Sequence, residues 1–277
     1  MLKLHDWIDI KKINWFGLSS NLNAISLLKN NQDKIDWDYL SLNPNAIELL
    51  KENQNKINWI HLNCNPNAMD LIKNNKNKIN WSCLSLNPNA VEFLKENKNK
   101  INWSSLSLNP NAITLLKENQ NMINWDNLSK NPNAISLLKE NKDKINWFKL
   151  SQNQNAMSLL YENQNAMSLL YENQNKIDWN VISVNPNAIL LLKENINKIF
   201  WHNLSKNKNA ISLLKENKDK VDWYCLCENS NAIELLKENQ DKINWFCFSK
   251  NPNIFTYDYK IMKENMKNSG IVEELTT

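Results

Sequence analysis

Residues Ile35–Lys56 read IDWDYLSLNPNAIELLKENQNK, and the spacing of their apolar residues decides the fold. Asp36 stands immediately before Trp37, and such a side-chain oxygen can accept from an orphaned backbone N–H at a helix start. A short helix from Trp37 to about Leu42 follows, burying Trp37 and Leu40. Asn43-Pro44 stops it, because proline excludes the preceding residue from helical dihedrals. Asn45 then reads as the cap of a second helix, Ala46 to about Asn53. On that helix Ala46, Ile47, Leu49 and Leu50 share one side while Glu48, Lys51 and Glu52 face outward, a helical rather than an alternating spacing. Asn53 to Lys56 makes the return turn.

The same unit recurs along the chain. From Trp15 to Trp245 every step between tryptophans is 22 residues, apart from one of 32 between Trp147 and Trp179. All seven prolines occupy the corner slot held here by Pro44. A fixed period of this size marks stacked modules, each unable to bury its apolar face alone. The expected architecture is an all-α solenoid of about eleven stacked 22-residue repeats, two short helices each. At helix spacings of ~8–10 Å the layers would make a rod or superhelix roughly 100 Å long. The structural alternative is a leucine-rich-repeat-like α/β horseshoe with an asparagine ladder, its strand around Trp-x-x-Leu-Ser.

The repeat core is expected at Trp15, Trp37, Trp59, Trp81, Trp103, Trp125, Trp147, Trp179, Trp201, Trp223 and Trp245. The corner slot holds Asn21, Asn43, Asn65, Asn87, Asn109, Asn131, Asn153, Asn185, Asn207, Asn229 and Asn251. An amide both donates and accepts, so identical residues in successive layers can form a ladder.

The expected organisation is an N-terminal cap (1–14), repeat array I (15–164), a duplicated insertion (165–178), repeat array II (179–252) and a C-terminal cap helix with tail (253–277). The insertion arises because NAMSLLYENQ occurs twice, at 155–164 and 165–174. A break near position 165 with an extra helix or kink, or one fused long helix, would accommodate it. Trp7, only eight residues before Trp15, makes the N-terminus read as half a unit. The tail beyond Gly270 is expected to be mobile.

Composition narrows the function. Fifty-five of the 277 residues are asparagine, and a net charge of +4 is carried entirely by lysine, with no arginine. Without the bidentate guanidinium fork and with so little excess charge, a nucleic-acid binder is disfavoured. Lysines recur at the Lys51 slot beside the Glu52 slot, and again at the Lys56 slot, which suggests a self-compensating face. No apolar run approaches a signal peptide or a membrane span. Five cysteines at irregular places read as reduced intracellular thiols. The two glycines, Gly17 and Gly270, stand alone, so there is no phosphate loop. The three histidines appear isolated in sequence, and neither a catalytic grouping nor a metal or cofactor site is expected; the chain reads as a non-enzyme.

The most variable slots are the two after each tryptophan. Solenoids place function where a rigid ladder presents different side chains, and aromatic side chains there can anchor a partner. The candidate partner-binding residues are Tyr39, His61, Phe148, Lys149, His202, Tyr224 and Phe246.

The unit I-N-W-x-x-L-S-x-N-P-N-A-I-x-L-L-K-E-N, over roughly residues 13–253, resembles the asparagine-rich 22-residue repeats of giant DNA viruses, relatives of mimivirus and of the virus infecting Cafeteria. The resemblance implies a viral protein of the host cytoplasm, viral factory or virion; the family brings no agreed activity with it. The combined expectation is a non-enzymatic scaffold presenting an extended surface to an unknown protein partner, with homo-oligomerisation open. A structural virion or factory component, or a weak lysine-mediated nucleic-acid binder, is the alternative.

Overall fold

The computed structural model describes residues 2–150, 153, 155–156 and 178–268. The duplicated stretch, with its expected break near 165, and the tail from 269 lie outside the described residues.

Among the described residues the local chemistry recurs from unit to unit, with exceptions such as Phe200, which stands in the N-cap slot without a side-chain cap. In the Ile35–Lys56 unit, Asp36 is the N-cap of helix Trp37–Leu42 and accepts from the Tyr39 N–H at 2.9 Å. Asn43, extended at φ −76° and ψ 113°, ends the helix ahead of Pro44. A 3-10 turn, Pro44–Ala46, leads into helix Ile47–Glu52. A second 3-10 turn, Gln54–Lys56, returns the chain to the next unit. The only strands among the described residues are the short β1 (Leu2–Leu4) and β2 (Phe255–Tyr257). The fold is therefore an all-α solenoid, and the Trp-x-x-Leu-Ser segment is helix rather than strand.

Two expectations about individual slots need correcting. Asn45 does not cap the second helix: the residue before that helix is Ala46, which makes no side-chain cap. The capping role falls to Asn43, whose Oδ1 accepts from the Asn45 N–H at 3.0 Å. Proline at the next position has already set the helical entry, so the cap belongs to the residue before it. The tryptophans, for their part, are half-buried and pack on the margin of the core. Leu40, Ala46, Leu49 and Leu50 are wholly sealed from solvent, as are most of their equivalents, whereas Leu27, Phe93 and Leu150 are half-buried. Over the outer face of the Trp37 indole lies the Lys56 ammonium, 4.5 Å from the ring centroid, and Lys34–Trp15, Lys144–Trp125 and Lys242–Trp223 repeat the contact.

Three side-chain ladders join successive units. Asn43 Nδ2 donates to the backbone carbonyls of Ser19 and Asn21 in the preceding unit, at 3.2 and 3.0 Å. The ladder thus runs from amide to backbone rather than from amide to amide. Asn45 Nδ2 donates to the Leu22 carbonyl at 2.9 Å. Ser41 Oγ donates back to the Trp37 carbonyl at 2.7 Å and accepts from the Asn58 N–H of the next unit at 3.0 Å. The recurrence of Ser four residues after Trp carries the signal of the serine ladder, but its partner lies in the next unit.

The array is not a rod. Every corner asparagine donates to the backbone carbonyl of the corner asparagine one unit earlier, at 2.7–3.2 Å, from Asn43 to Asn251. Asn21, in the first unit, donates to Asn251 in the last, at 2.9 Å. The cycle is closed. Across the 32-residue step Asn185 still reaches the Asn153 carbonyl at 3.2 Å, so the corner ladder continues across it. The other ladders close too: Asn14 N donates to Ser249 Oγ and Asn23 Nδ2 to the Pro252 carbonyl. Eleven interfaces sharing one full turn rotate each unit by about 33°.

The termini complete the last layer together. After Ile254 the chain forms β2 instead of a second helix, and β2 pairs antiparallel with β1, Lys3 opposite Thr256. The N-terminal 3-10 turn Ile10–Lys12 supplies the return turn that the last unit lacks, and Lys12 lies over Trp245 at 5.4 Å. Trp7 packs against Phe248 with ring centroids 5.6 Å apart. What reads as two caps is one composite unit, made from both ends of the chain.

First helices of neighbouring units pack closely, whereas second helices are splayed. In a closed ring the crowded wall is the inner one. With layers ~8–10 Å apart and helices ~10 Å wide, the opening is about 20 Å across.

Candidate functional site

The slot directly after each tryptophan lies on the first helix, away from the packed Leu40 side. Phe16, Ile60, Phe148 and Tyr224 occupy it in four units, and each is about half exposed, from 45 to 58%. The slot one residue later points toward the neighbouring unit and is more enclosed: Tyr39, His61 and Lys149 are half-buried, and Cys225 and Cys247 are buried. The two variable slots therefore differ in kind, one facing solvent and one facing the preceding layer.

Of the residues singled out in the sequence, the structure gathers some and scatters others. Tyr39 meets Phe16 edge-on at 4.7 Å, and Phe16 lies 6.4 Å from Phe246 across the closing seam. These three rings join the second, first and last units in one aromatic group. Phe148, with the Lys149 ammonium 5.5 Å from its ring, and Tyr224 stand on other units. His61 is half-buried, its Nδ1 3.0 Å from the Asp38 carbonyl oxygen.

His202 is not isolated, contrary to its appearance in the sequence. Its Nδ1 lies 2.8 Å from Asp222 Oδ2, and the buried Cys225 Sγ is 3.4 Å from both ring nitrogens. Equal distances to the two nitrogens place the sulfur over the face of the imidazole, out of line with either nitrogen's in-plane orbital. Asp222 is the N-cap of helix Trp223–Leu226, and its other oxygen accepts from the Cys225 N–H at 2.9 Å. Partial burial works against the Asp222 carboxylate, but the Cys225 N–H and His202 outweigh it and hold the carboxyl below its ordinary range. Burial, reinforced by the Asp222 charge, pushes the Cys225 thiol up to about 11. A thiol so placed is a poor nucleophile near neutrality.

The contact pattern behind this cluster is general. Residues 20 apart bring the slot after Trp to the next unit's N-cap, as in Asn58–Asp38 and Asn146–Asp126, both 2.9 Å. Residues 23 apart bring it to the slot two after the next Trp, as in Asn127–Ser104. Sequence spacing carried this signal, but reading it requires the rotation between layers.

The lysines also differ from expectation. Lys51 pairs with Glu48 and Lys95 with Glu92, both at 2.8 Å, one turn back rather than with the adjacent glutamate. A groove of about 330 Å³ beside Pro88, Val91 and Thr114 contains the Glu92–Lys95 pair. Among the described residues no helix is long and apolar enough to cross a membrane. No protein-family model matches the chain, and no curated protein or solved structure matches it.

Proposed function

We propose that the chain is a non-enzymatic ring scaffold whose inner wall holds a protein partner. The observation that carries this reading is the exposure of Phe16, Ile60, Phe148 and Tyr224 at one slot of an otherwise repetitive wall. Large apolar side chains held half in water on rigid helices lose little conformational freedom on docking, and such anchors dominate interface energies. An opening of about 20 Å, estimated from helix spacing and width, suits a helix pair or a folded loop. The resemblance of the repeat to giant-virus asparagine-rich proteins supports a place in the host cytoplasm, viral factory or virion. A nucleic-acid track is less well supported, because lysines such as Lys34, Lys56 and Lys242 are already engaged over indoles.

A photo-cross-linking amino acid at Ile60 or Tyr224, compared with one at the exposed second-helix residue Leu190, tests the reading in infected cells. The expected result is one shared adduct from Ile60 and Tyr224 and none from Leu190, lost in Phe148→Ala without a change in melting temperature. Equal adducts from Leu190, or retention of binding when all four anchors are alanine, would overturn it.

A further inference from the structure

We propose that His202, Asp222 and Cys225 form a binding site for a borderline-soft divalent cation of the zinc class. The three residues offer one imidazole nitrogen, one carboxylate oxygen and one thiol sulfur, all within 4.8 Å of one another. A tetrahedral ion with ~2.0–2.3 Å bonds spaces its ligands about 3.3–3.6 Å apart. The 3.4 Å separation of Cys225 Sγ from His202 Nδ1 already falls in that range, and the 2.8 Å separation of Nδ1 from Asp222 Oδ2 has only to open slightly.

The slots themselves isolate this site. The same three slots meet at each interface with described residues, and elsewhere they carry sets such as Ser82, Asn102 and Ser105, or Ser104, Asn124 and Asn127. Those amides and hydroxyls satisfy one another by hydrogen bonds. Asp38, Asn58 and His61 offer two ligand types with an amide between them. Between His202 and Cys225 all three slots are metal-ligating at once.

Two features set the character of the site. His202 is 62% exposed, so its ring is free to turn from lying over the sulfur to aiming a nitrogen at the ion, and water can take the fourth position. Asp222 is fixed by its capping bond, and Cys225 by burial in the wall. Thiolate and imidazole favour zinc-class ions over magnesium or calcium. Ligation displaces the Cys225 thiol proton into solvent, and His202 keeps its proton on the nitrogen that does not bind. Lys206 and Glu228, 3.9 Å apart beside the cluster, offset each other's charge.

The test titrates Co²⁺ into the reduced full-length protein and follows the thiolate-to-cobalt charge-transfer band, with Zn²⁺ as competitor. Each diagnostic substitution installs a residue that another unit carries at that slot: His202→Ser as at Ser82, Asp222→Asn as at Asn102, and Cys225→Ser as at Ser105. The fold is thereby retained, and circular dichroism checks it. The expected result is one thiolate-ligated equivalent per chain that Zn²⁺ displaces, no band in Cys225→Ser, and at least about tenfold weaker binding in His202→Ser and in Asp222→Asn. Cys227→Ser leaves the band intact. Absence of the band in the unaltered protein, its persistence in Cys225→Ser, or unchanged affinity in His202→Ser would each overturn the site.

Discussion

The backbone oxygen of Phe246 lies 2.7 Å from the point where a β-carbon on Gly17 would sit. The equivalent slot in other units carries Tyr39, His61, Cys83 or Ser105, so those interfaces leave room that the closing one does not. Glycine inside a helix costs about 1 kcal/mol relative to alanine. Here that cost accompanies a close approach between the first and last units.

Gly17→Val is therefore expected to weaken closure of the ring without disturbing the other interfaces. Because the faces exposed by opening match the interface repeated around the ring, a second chain can satisfy them, and concentration-dependent dimers should appear. Size-exclusion chromatography with light scattering checks this. A Gly17→Val protein that stays monomeric, compact and fully stable would show that the seam tolerates a side chain.

The corner and neighbouring asparagines should differ sharply in stability. Asn109 is fully buried, donates to the Ser85 and Asn87 carbonyls at 3.1 and 2.8 Å, and accepts from the Asn111 N–H at 3.0 Å. With each bond contributing ~1 kcal/mol, and buried carbonyls left unpaired, Asn109→Ala should cost about 3 kcal/mol or more. Asn111 is exposed and donates a single bond, to the Pro88 carbonyl, so Asn111→Ala should cost no more than about 1 kcal/mol. Urea denaturation of the two variants side by side decides it.

Cys227 occupies a serine slot. Its Sγ donates to the Trp223 carbonyl at 3.1 Å and accepts from the Asn244 N–H at 3.3 Å, as Ser41 Oγ does with Trp37 and Asn58. Cys227→Ser keeps both bonds, so the expected change in stability is within about 1 kcal/mol. A loss of several kcal/mol in thermal or urea unfolding would mean that the buried sulfur contributes chiefly through packing.

Alkaline pH should expose the burial of Cys64. Burial, and next to it the neighbouring Cys83, push its thiol from an ordinary 9.0 up to about 12. A group whose pKa is raised on folding contributes stability that is fully present below the unfolded value and lost as pH rises through the folded one. Stability should therefore fall between about pH 9 and 12, and fall less steeply in Cys64→Ser. Urea midpoints across that range, compared between the two proteins, provide the check; parallel curves would contradict the assignment.

The unit was legible because its signals are local. Asp36 before Trp37, Pro44 at the corner and the 3.6-residue spacing of Ala46, Leu49 and Leu50 each act within a few residues. Asn45 misleads for the same reason: its type suits a cap, but its amide serves the Leu22 carbonyl of another layer. The size of Trp37 points to the core, whereas the layer seals Leu40 and leaves the indole at the margin under Lys56. The meeting of His202 with Asp222 and Cys225 depends on which slots face one another between layers, and no single unit contains that information.

Period, helix pair, corner and the need to stack all follow from residue order alone, because capping, proline geometry and amphipathic spacing act over one or two turns. Whether the stack runs on as a rod or bends back to seat Asn21 on Asn251 depends on a rotation of about 33° per interface, one full turn divided among eleven. Side-chain packing between layers sets that angle, and a deviation of a few degrees repeated eleven times would leave the ends apart. Closure is thus a property of summed tertiary geometry, confirmed in the molecule by Gly17 at the seam and by β1 paired with β2 across it.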